Sequence, residues 1–400
     1  MRTRPIWAEI SIDRLLHNYR VLRAAAGDAG LIAVVKANAY GHGALACATA
    51  LESAGADWLG ITCVDEGAAV RGVCDKARIL VMSGVWEREA EAALDLRLTP
   101  VVWEPVHLEW LEAAASLRGL PAQSVPVHLE IDTGMSRQGV RLADLPELLK
   151  KFDNAKSLSL EGVMTHFHSP ESLDEGSTAA QLQRFDSALE MIASRGYRPS
   201  MIHVGNSATV LATHGARQVA DLGAKYGASA LLRPGLALYG YAPRFTGQGA
   251  LATAGQLQPV LAWKTRIVSL RTIEAGESAG YNATFHAKRR SRLALLPVGY
   301  ADGWNRLLSN RGQVLVRGQR PPIVGRISMD LTIVDVTDVD AVELGDEVVL
   351  IGEQEGKQGV ERITADDLAD MEGTIPYEVL CNIGTRVRRI TIDAGKGRHA

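Results

Sequence analysis

Two hydrophobic periods alternate along the first 245 residues of the chain. Short apolar runs predict buried β-strands, and between them apolar residues recur every three or four positions, as in amphipathic helices. The runs lie at residues 31–35, 57–62, 77–82, 98–102, 125–131, 160–166, 201–204 and 230–232. Helical periodicity marks the segment after Ser11 and residues 104–117 and 178–195. Eight such repeats predict an α/β fold, a (β/α)8 TIM barrel.

The pattern changes from about Gln258 onward. Runs of Val, Ile and Thr separated by Gly and Pro are typical of a mainly-β domain, and they occur at residues 263–271, 293–298, 313–317, 331–336 and 347–351. Residues 239–255, which carry Gly, Pro and Gln, have the composition of a linker. We therefore predict a barrel at residues 10–245 and a β-rich domain at 246–400.

Composition and charge narrow the classes of partner. The chain of 400 residues is 46% hydrophobic and 22% charged, which is ordinary for a globular protein. A net charge of -3 with mixed signs offers no field to attract nucleic acid or an anionic membrane, so we expect a small-molecule partner. The start has no apolar signal region and no run of eighteen apolar residues occurs, which predicts a cytoplasmic location and no membrane partner.

Lys36 stands at the carboxyl end of the first predicted strand, where a barrel of this kind carries its chemistry. A lysine at the mouth of an apolar strand loses hydration, which favours the neutral amine that can attack an aldehyde. By residue type alone, a solvated lysine at a strand end is an equally good interpretation. Residues 33–43 (AVVKANAYGHG), however, closely resemble the pyridoxal phosphate lysine motif of the alanine racemase family. In that family the lysine holds the cofactor covalently.

The same resemblance supplies the remaining cofactor groups of the barrel. Residues 233–240 (RPGLALYG) follow the eighth strand, where barrels commonly bind phosphate, although Pro-Gly alone is more often a simple turn. In the family this arginine, here Arg233, donates a hydrogen bond to the pyridine nitrogen. The resemblance assigns the phosphate to Tyr40, Asn206, Ser207 and the backbone amides of Gly235 and Leu236.

Arg233 has a chemical consequence. Arginine stays charged and can only donate, so it leaves the pyridine nitrogen unprotonated, whereas an acidic partner would favour its protonation. The cofactor then withdraws electrons less strongly, and a short-lived carbanion is less prone to transamination. A reaction that only removes and returns one proton fits this arrangement.

His166 and His168 allow a competing interpretation. A His-x-His pair on one face of a barrel strand is used for zinc by amidohydrolase-type enzymes, but those carry it on the first strand and this pair lies on the sixth. The resemblance instead places the histidine of the Thr-His-Phe motif, His166, beside the pyridine ring and the arginine. It also makes His203 a cofactor-pocket residue. We therefore predict no metal.

Racemisation needs a second acid–base group opposite Lys36, because the proton leaves one face of Cα and returns on the other. Residues 276–285 (GESAGYNATF) resemble the family segment with the catalytic tyrosine, which would otherwise be an ordinary loop aromatic. The resemblance makes Tyr281 the group for the L-face and Lys36 that for the D-face. It further implies a homodimer in which Tyr281 is supplied in trans, and it adds residues 1–9 to the β-rich domain.

Two further segments of the β-rich domain are strong family matches. Residues 296–303 and 373–384 place Tyr300 at the entrance to the partner's site and Tyr377 near the phosphate and the entrance. By residue type alone, both could be half-buried β-domain aromatics.

Two segments depart from the usual family pattern. In residues 128–139, Arg137 matches the arginine that contacts the cofactor phenolate and the substrate carboxylate. Glu130 stands where many relatives have a carbamylated lysine supporting that arginine. Since glutamate supplies an anion without CO2 chemistry, we predict that Glu130 replaces the carbamate and that activity is insensitive to bicarbonate.

The second departure is Ser328, in place of a frequent cysteine before the Met-Asp pair. The family uses the backbone N–H of that methionine, here Met329, for the substrate carboxylate. The aspartate, here Asp330, shapes the pocket of the opposite subunit. A backbone donor survives the change to serine, whereas the strictness for alanine over serine stays open.

The resemblance covers nearly the whole chain and implies a pyridoxal phosphate-dependent racemase that interconverts L- and D-alanine for peptidoglycan synthesis. Two alternatives share the barrel and its lysine. A non-catalytic cofactor carrier has a single domain, which the β-rich domain with Tyr281 argues against. An amino acid decarboxylase of the same architecture has a Cys-Glu-Ser-Gly-Asp motif, which we do not find.

Overall fold

The computed structural model describes residues 4–172, 175–212, 214–245, 253–357 and 359–393. Two compact units make up the chain: Leu15–Ala39 with Ala44–Gln258, and Met1–Arg14 with Tyr40–Gly43 and Pro259–Ala400. Residues 246–252 of the predicted linker, with the predicted start of the second domain, lie outside the described residues. Among the described helices, none is long and apolar enough to cross a membrane.

The first unit, here called the barrel unit, contains a closed barrel of eight parallel strands. They are β1 Gly30–Val34, β2 Trp58–Ile61, β3 Arg78–Val81, β4 Leu98–Val102, β5 Val125–Asp132, β6 Leu158–Met164, β7 Met201–His203 and β8 Ser229–Leu232. Each strand pairs with the next, and β8 pairs with β1, which closes the sheet. The predicted TIM barrel is confirmed.

Burial explains why apolar runs form these strands. Both faces of a strand in a parallel barrel are covered, so consecutive residues such as Ile32 and Ala33 are fully buried. One core cluster draws a side chain from six strands: Ile32, Trp58, Leu80, Val101, Met164 and Leu231. The barrel is therefore filled by side chains, and its chemistry is left to the strand ends.

Helices follow the strands. The α-helices of this part of the chain are Ile12–Ala25, Ala44–Ser53, Val64–Arg71, Glu87–Asp95, Pro105–Leu117, Leu145–Phe152, Glu175–Ser194, Ser207–Leu211 and Gly215–Tyr226. Short 3-10 helices occupy Leu236–Tyr239 and Ala254–Gln256, and a two-residue strand, Val140–Arg141, pairs with the end of β5. Predicted helices 104–117 and 178–195 agree with the observed bounds within three residues.

The second unit, here called the β unit, is mainly strands. They are Ile6–Ser11, Leu261–Arg266, Ser269–Ile273, Ser278–Ala279, Phe285–His286, Ser291–Leu296, Leu315–Val316, Thr332–Asp335, Glu347–Gly356, Gly359–Ile363 and Arg388–Ile392. Its helices are Ala365–Glu372 and Pro376–Cys381, with 3-10 turns at Tyr281–Ala283, Tyr300–Asp302 and Arg306–Leu308. The N-terminal strand Ile6–Ser11 lies between Leu261–Arg266 and Arg388–Ile392 in the largest sheet of this unit.

One predicted strand of the β unit is divided. The run 263–271 forms two strands, Leu261–Arg266 and Ser269–Ile273, which belong to different sheets. The change of sheet occurs at Ile267 and Val268, whose N–H groups donate to Asp346 (3.0 Å) and Leu295 (2.9 Å). Strand propensity along the chain does not reveal such a change of partner, because both halves remain paired.

Candidate active site

Lys36 directly follows β1 and the buried Val35, and its side chain is half-buried. Residues 37–39 after it have φ between 51° and 55°, a left-handed turn made without glycine. Glu66 holds this strained turn, because its carboxylate accepts a hydrogen bond from the Ala37 N–H at 2.6 Å. The lysine therefore leaves the strand in a fixed direction, and Glu66 is an anchor that the sequence did not reveal.

Arg233 follows β8 and is only 3% exposed. Its Nη1 donates to the carbonyl oxygen of His203 (2.7 Å) and to Nδ1 of the same residue (3.2 Å). Its Nη2 donates to the carbonyl of Thr165 (2.7 Å) and to Nδ1 of His166 (3.1 Å). The Nε–H has no hydrogen-bond partner among the residues that the structure describes. One donor of a buried cation therefore remains for an acceptor atom of a ligand.

The charges around Arg233 are set by burial. Burial lowers the pKa of Arg233 to about 10, although Glu130 acts in the opposite direction, so the guanidinium stays charged at neutral pH. Burial also lowers the pKa of His166 to about 3, helped by the charges of Arg233 and Arg137. The pKa of His203 is well below its usual value for the same main reason. Both imidazoles are therefore neutral beside a cation.

His166 and His168 have different hydrogen-bond partners. Nδ1 of His166 accepts from Arg233, whereas the exposed His168 bonds the hydroxyls of Ser169 (2.8 Å) and Ser177 (3.1 Å). Within the described parts of the chain, no group of three His, Cys, Asp or Glu residues is arranged to hold a metal ion.

Two backbone N–H groups after β8 converge on one side-chain oxygen that follows β7. Ser207 begins a short helix, and its Oγ accepts from Gly235 (3.0 Å) and Ala237 (3.2 Å). Asn206 caps that helix by accepting from the Ala208 N–H at 2.9 Å. The predicted Gly235 donor thus meets Ser207 here. The two N–H groups orient the Ser207 hydroxyl, whose own proton can be donated to an anion, and the predicted Leu236 is buried beside them.

Arg137 lies on a tight loop after β5 and is exposed. Asp132 shapes the loop, since one carboxylate oxygen accepts from Gly134 (2.9 Å) and Ser136 (3.1 Å). At Gly139 φ is 104°, and a Cβ there would lie 2.6 Å from the backbone nitrogen of Asp132. Only glycine allows the loop to close in this way.

Glu130 is 2% exposed and accepts a hydrogen bond from Gln138, which also donates to the Met82 carbonyl at 2.9 Å. Burial raises the pKa of this carboxyl, while Gln138, Arg233 and Arg137 act against that rise. Among the described residues, its hydrogen-bond partner is therefore Gln138, and Arg137 acts on it through charge alone. The sequence predicted a role for the Glu130 carboxyl but did not reveal Gln138 as its hydrogen-bond partner.

In the β unit, Tyr281 lies in a turn between two short paired strands and is 69% exposed. The turn packs against a neighbouring loop, because a Cβ on Gly280, at φ 76°, would be 3.0 Å from the Arg326 nitrogen. Asn310 joins the two by donating to Thr284 (3.1 Å) and accepting from Gly325 (2.6 Å). The backbone of the turn is fixed, whereas the phenol is accessible.

The segments of Tyr300 and Met329 are hydrogen-bonded to each other. The Tyr300 N–H donates to the Ser328 carbonyl at 3.1 Å, and both Tyr300 and Met329 are exposed. Asp330 accepts from Arg386 Nη2 at 2.5 Å. These predicted substrate residues therefore form one surface of the β unit.

The Ser328 hydroxyl closes its own turn. It donates to the Leu331 carbonyl (3.0 Å) and accepts from the Leu331 N–H (3.1 Å). Its proton is committed to the backbone, so the change from cysteine adds little free polarity at this position.

Tyr40 and Tyr377 are placed together in the same unit. Their ring centroids are 5.9 Å apart at an interplanar angle of 51°. The backbone at Gly41 packs tightly on the helix Pro376–Cys381, since a Cβ there would lie 2.2 Å from the Leu380 carbonyl. Two residues predicted near one phosphate are thus neighbours.

Comparison with known proteins covers nearly the whole chain. Residues 10–243 match the family model of the alanine racemase N-terminal domain, and residues 260–391 match that of the C-terminal domain. Alanine racemase 2 of Caldanaerobacter subterraneus subsp. tengcongensis is 39% identical over 395 residues, 98% of this chain and 96% of that protein. The alanine racemase of Symbiobacterium thermophilum is 40% identical over 386 residues, 96% of this chain and 97% of that protein.

A solved structure agrees with these matches. The crystal structure of alanine racemase from Bartonella henselae, with covalently bound pyridoxal phosphate, superposes with a TM-score of 0.81 at 29% identity. The match covers 97% of this chain and 99% of that one.

Proposed function

This chain belongs to the alanine racemase family, so its reaction is the interconversion of L- and D-alanine with pyridoxal phosphate, and we propose that Lys36 and Tyr281 are its two acid–base groups. The observation that carries the proposal is the cluster at the carboxyl ends of the barrel strands. There a buried arginine, Arg233, keeps one N–H that no described residue accepts, beside two neutral imidazoles.

The described residues fit the cofactor. The Nε–H of Arg233 suits an acceptor such as a pyridine nitrogen, and the Ser207 hydroxyl, oriented by the N–H groups of Gly235 and Ala237, suits a phosphate oxygen. We propose Tyr40, Asn206, Leu236 and Tyr377 as further contacts of the phosphate group, since they lie in the segments named by the family motifs. When bound at the amine of Lys36, pyridoxal phosphate supplies an electron-withdrawing ring that acidifies the Cα proton of the amino acid.

The roles of the acid–base groups follow from their chemistry. On the D-face the neutral amine of Lys36 removes the Cα proton and its ammonium form returns one, and on the L-face the phenolate and phenol forms of Tyr281 do the same. The Arg137 guanidinium and the Met329 backbone N–H bind the substrate carboxylate, because both are donors that an anion requires. Tyr300 and Asp330 shape the entrance and the pocket. One proton is therefore removed on one face and a different proton is added on the other, with no net change in the charge of the amino acid.

The environment of Arg233 limits side reactions. Arginine cannot give up its proton to a ring nitrogen, and the adjacent His166 is neutral because burial lowers its pKa to about 3. Arg233 can therefore donate a hydrogen bond to the ring nitrogen without protonating it, and the neutral His166 adds no charge beside it. His203 holds Arg233 through its carbonyl and Nδ1, and so keeps the donor in place.

The proposal includes a homodimer in which Tyr281 serves the partner's site. The family motif implies this arrangement, and the exposure of Tyr281, Tyr300 and Met329 supports it, because aromatic and Met side chains are enriched in interfaces. The match to the C-terminal domain model also separates the chain from single-domain carriers. We further place the enzyme in the cytoplasm, where D-alanine enters peptidoglycan precursors.

Chiral chromatography of reactions started separately from L-alanine and L-serine tests the activity. We expect D-alanine to form well ahead of D-serine, and Tyr281→Phe to lose the activity by about 10²–10⁴-fold, the range of a general acid–base group. Tyr226→Phe is the control, because Tyr226 bonds Asp186 away from the site. No D-isomer from either substrate by a cofactor-loaded enzyme would contradict the proposal.

A further inference from the structure

A line of hydrogen-bonded side chains continues from Arg233 into the buried interior of the barrel. His203 Nε2 lies 2.7 Å from Nδ1 of His128, and Nε2 of His128 lies 3.2 Å from a carboxylate oxygen of Glu161. Arg78 grips that carboxylate with two hydrogen bonds of 2.6 Å. Both histidines are fully buried. Two cations are thus connected through two imidazoles and one carboxylate.

Only one pair of histidine tautomers satisfies all the hydrogen bonds of this line. Arginine has no acceptor, so Nδ1 of His203 must accept from Arg233 and the ring proton must sit on Nε2. That proton is donated to Nδ1 of His128, whose own proton is therefore on Nε2 and points to Glu161. Burial lowers the pKa of both imidazoles, so each ring carries a single proton. The carboxylate at one end and the guanidinium at the other fix both tautomers.

The fold makes specific room for His128. A Cβ on Gly162 would lie 2.7 Å from three ring carbons of His128, so β6 needs glycine opposite this ring. The pairing of β5 with β6 also shifts in register between Val127 and His128. On another side, the Trp58 ring centroid is 5.3 Å from the imidazole, and the Arg78 guanidinium lies 4.2 Å over the same indole.

The far end of the line lies at the other end of the barrel. Arg78 is the first residue of β3, whereas Lys36 follows the last residue of β1. Arg78 also borders a cavity of about 340 Å³ between the amino ends of β3, β4 and β5. The ion pair with Glu161 is thus part-exposed there, while the imidazoles are sealed from water. Glu161 therefore lies outside the active site, and as an acceptor it determines which ring nitrogens of His128 and His203 carry protons.

We infer that His128 and Glu161 are positioning residues of the reaction: they fix the tautomer of His203 and so hold Arg233 in the orientation that presents its Nε–H. This inference rests on the proposed function. With the opposite tautomer, His203 would turn an N–H toward the guanidinium, and two donors would face each other in a dry site. Arg233 would then have to move or lose a hydrogen bond.

Nitrogen NMR of the histidine rings tests the inference on the ¹⁵N-histidine-labelled holoenzyme, because protonated and bare ring nitrogens resonate far apart. We expect both His128 and His203 to be protonated on Nε2 only. His128→Leu should give a mixture of His203 tautomers and lower kcat by about tenfold with little change in KM, the usual scale for a residue that orients a functional histidine. His128→Gln should restore one tautomer and most of kcat, since its amide can accept and donate in place of the ring.

Glu161→Gln removes the anchoring charge and should also mix the tautomers. Its control is Glu112→Gln, because the Glu112 carboxylate is also a part-buried acceptor, for the Ser157 N–H at 2.9 Å, but lies outside the line. We expect the control to leave the His203 resonances and kcat as in wild type. If Glu161→Gln does not fold, the wild-type spectrum still decides, since protonation of His203 at Nδ1 would overturn the inference.

If His128 and Glu161 had only a structural role, their variants would give different results. Unchanged His203 resonances in His128→Leu or Glu161→Gln, or kcat values equal to that of Glu112→Gln, would overturn the inference while leaving the racemase assignment intact. A wild-type holoenzyme that forms no D-alanine would instead contradict the proposed function, whatever the tautomers are.

Discussion

The barrel unit and the β unit support their functional groups in opposite ways. Arg233 and His203 are enclosed, His166 is half-buried beside them, and their hydrogen bonds assign protons. Tyr281 is 69% exposed and Met329 53% exposed, although their backbones are well fixed. One folded chain therefore determines the protonation states at the cofactor groups. The groups of the β unit still need another surface to remove them from water, and a second copy of the chain is the one we propose.

The largest effect expected from this contrast is complementation between inactive variants. Lys36→Ala should lose at least about a thousandfold in kcat, as expected when a covalent catalytic group is removed. Mixed with Tyr281→Phe, it should recover about a quarter of the wild-type rate, since half of randomly exchanged dimers carry one site with both native groups. Each variant mixed with itself is the control. No recovery after verified subunit exchange would show that both groups act within one chain.

Replacing the buried cation should have the next largest effect. Arg233→Glu places an acid beside the ring nitrogen, so we expect racemisation to fall on the order of a hundredfold and pyruvate from transamination to rise relative to it. Arg233→Lys, which keeps a donor and a charge, should raise the side reaction less. An unchanged ratio of pyruvate to D-alanine in Arg233→Glu would count against the role given to arginine.

Lowering the pH should reduce the free energy of unfolding, because several imidazoles are buried in their neutral form. Burial lowers the pKa of His107 to about 4 and that of His166 to about 3, and the pKa of His203 is lowered as well. Below about pH 6.5 the unfolded chain binds protons that the folded chain does not, so stability falls as pH falls. Each net proton contributes a slope of about 1.4 kcal/mol per pH unit. Urea unfolding at pH 7, 6 and 5 should show this slope.

His107→Gln provides a separate check on the slope. It removes one titrating group outside the site and should make the decline shallower by up to one proton. A free energy of unfolding that is constant between pH 7 and 5 would contradict neutral histidines.

The smallest expected effect concerns bicarbonate. If Glu130 supplies the anion in place of a carbamate, as we predict, added bicarbonate should not change the activity of the purified enzyme, and the hydrogen bond from Gln138 favours the ionised carboxyl. Glu130→Lys is the informative variant, because a lysine there should need carbamylation and respond to bicarbonate. Bicarbonate-dependent rescue of the wild type would rule out the role proposed for Glu130.

Much of the barrel could be predicted from the sequence because its strands are buried on both faces and appear as apolar runs. The division of residues 263–271 between two sheets could not, since both halves stay paired as strands. The amphipathic helix Ile12–Ala25 also buries Leu15, Tyr19 and Leu22 as its pattern indicated, although polar Asn18 is buried on the same face. Its amide donates to two carbonyl groups, a contact that periodicity does not reveal.

The site shows the same limit. Motifs identified Lys36, Arg233 and Tyr281, because those segments are long enough to compare with a family. His128 and Glu161 gave no signal, since their contact depends on the stagger of neighbouring strands and on the small size of Gly162. Side chains that meet through the interior of a barrel become visible only when the strands are assembled.

Exchange of the Cα proton in heavy water tests the two-base account most directly. In Tyr281→Phe, proton NMR should show that D-alanine still exchanges its Cα proton through Lys36, while exchange of L-alanine is lost by about 10²–10⁴-fold. Wild type should exchange both isomers. If Tyr281→Phe exchanges L-alanine as fast as D-alanine, Tyr281 is not the L-face group and the central claim is wrong.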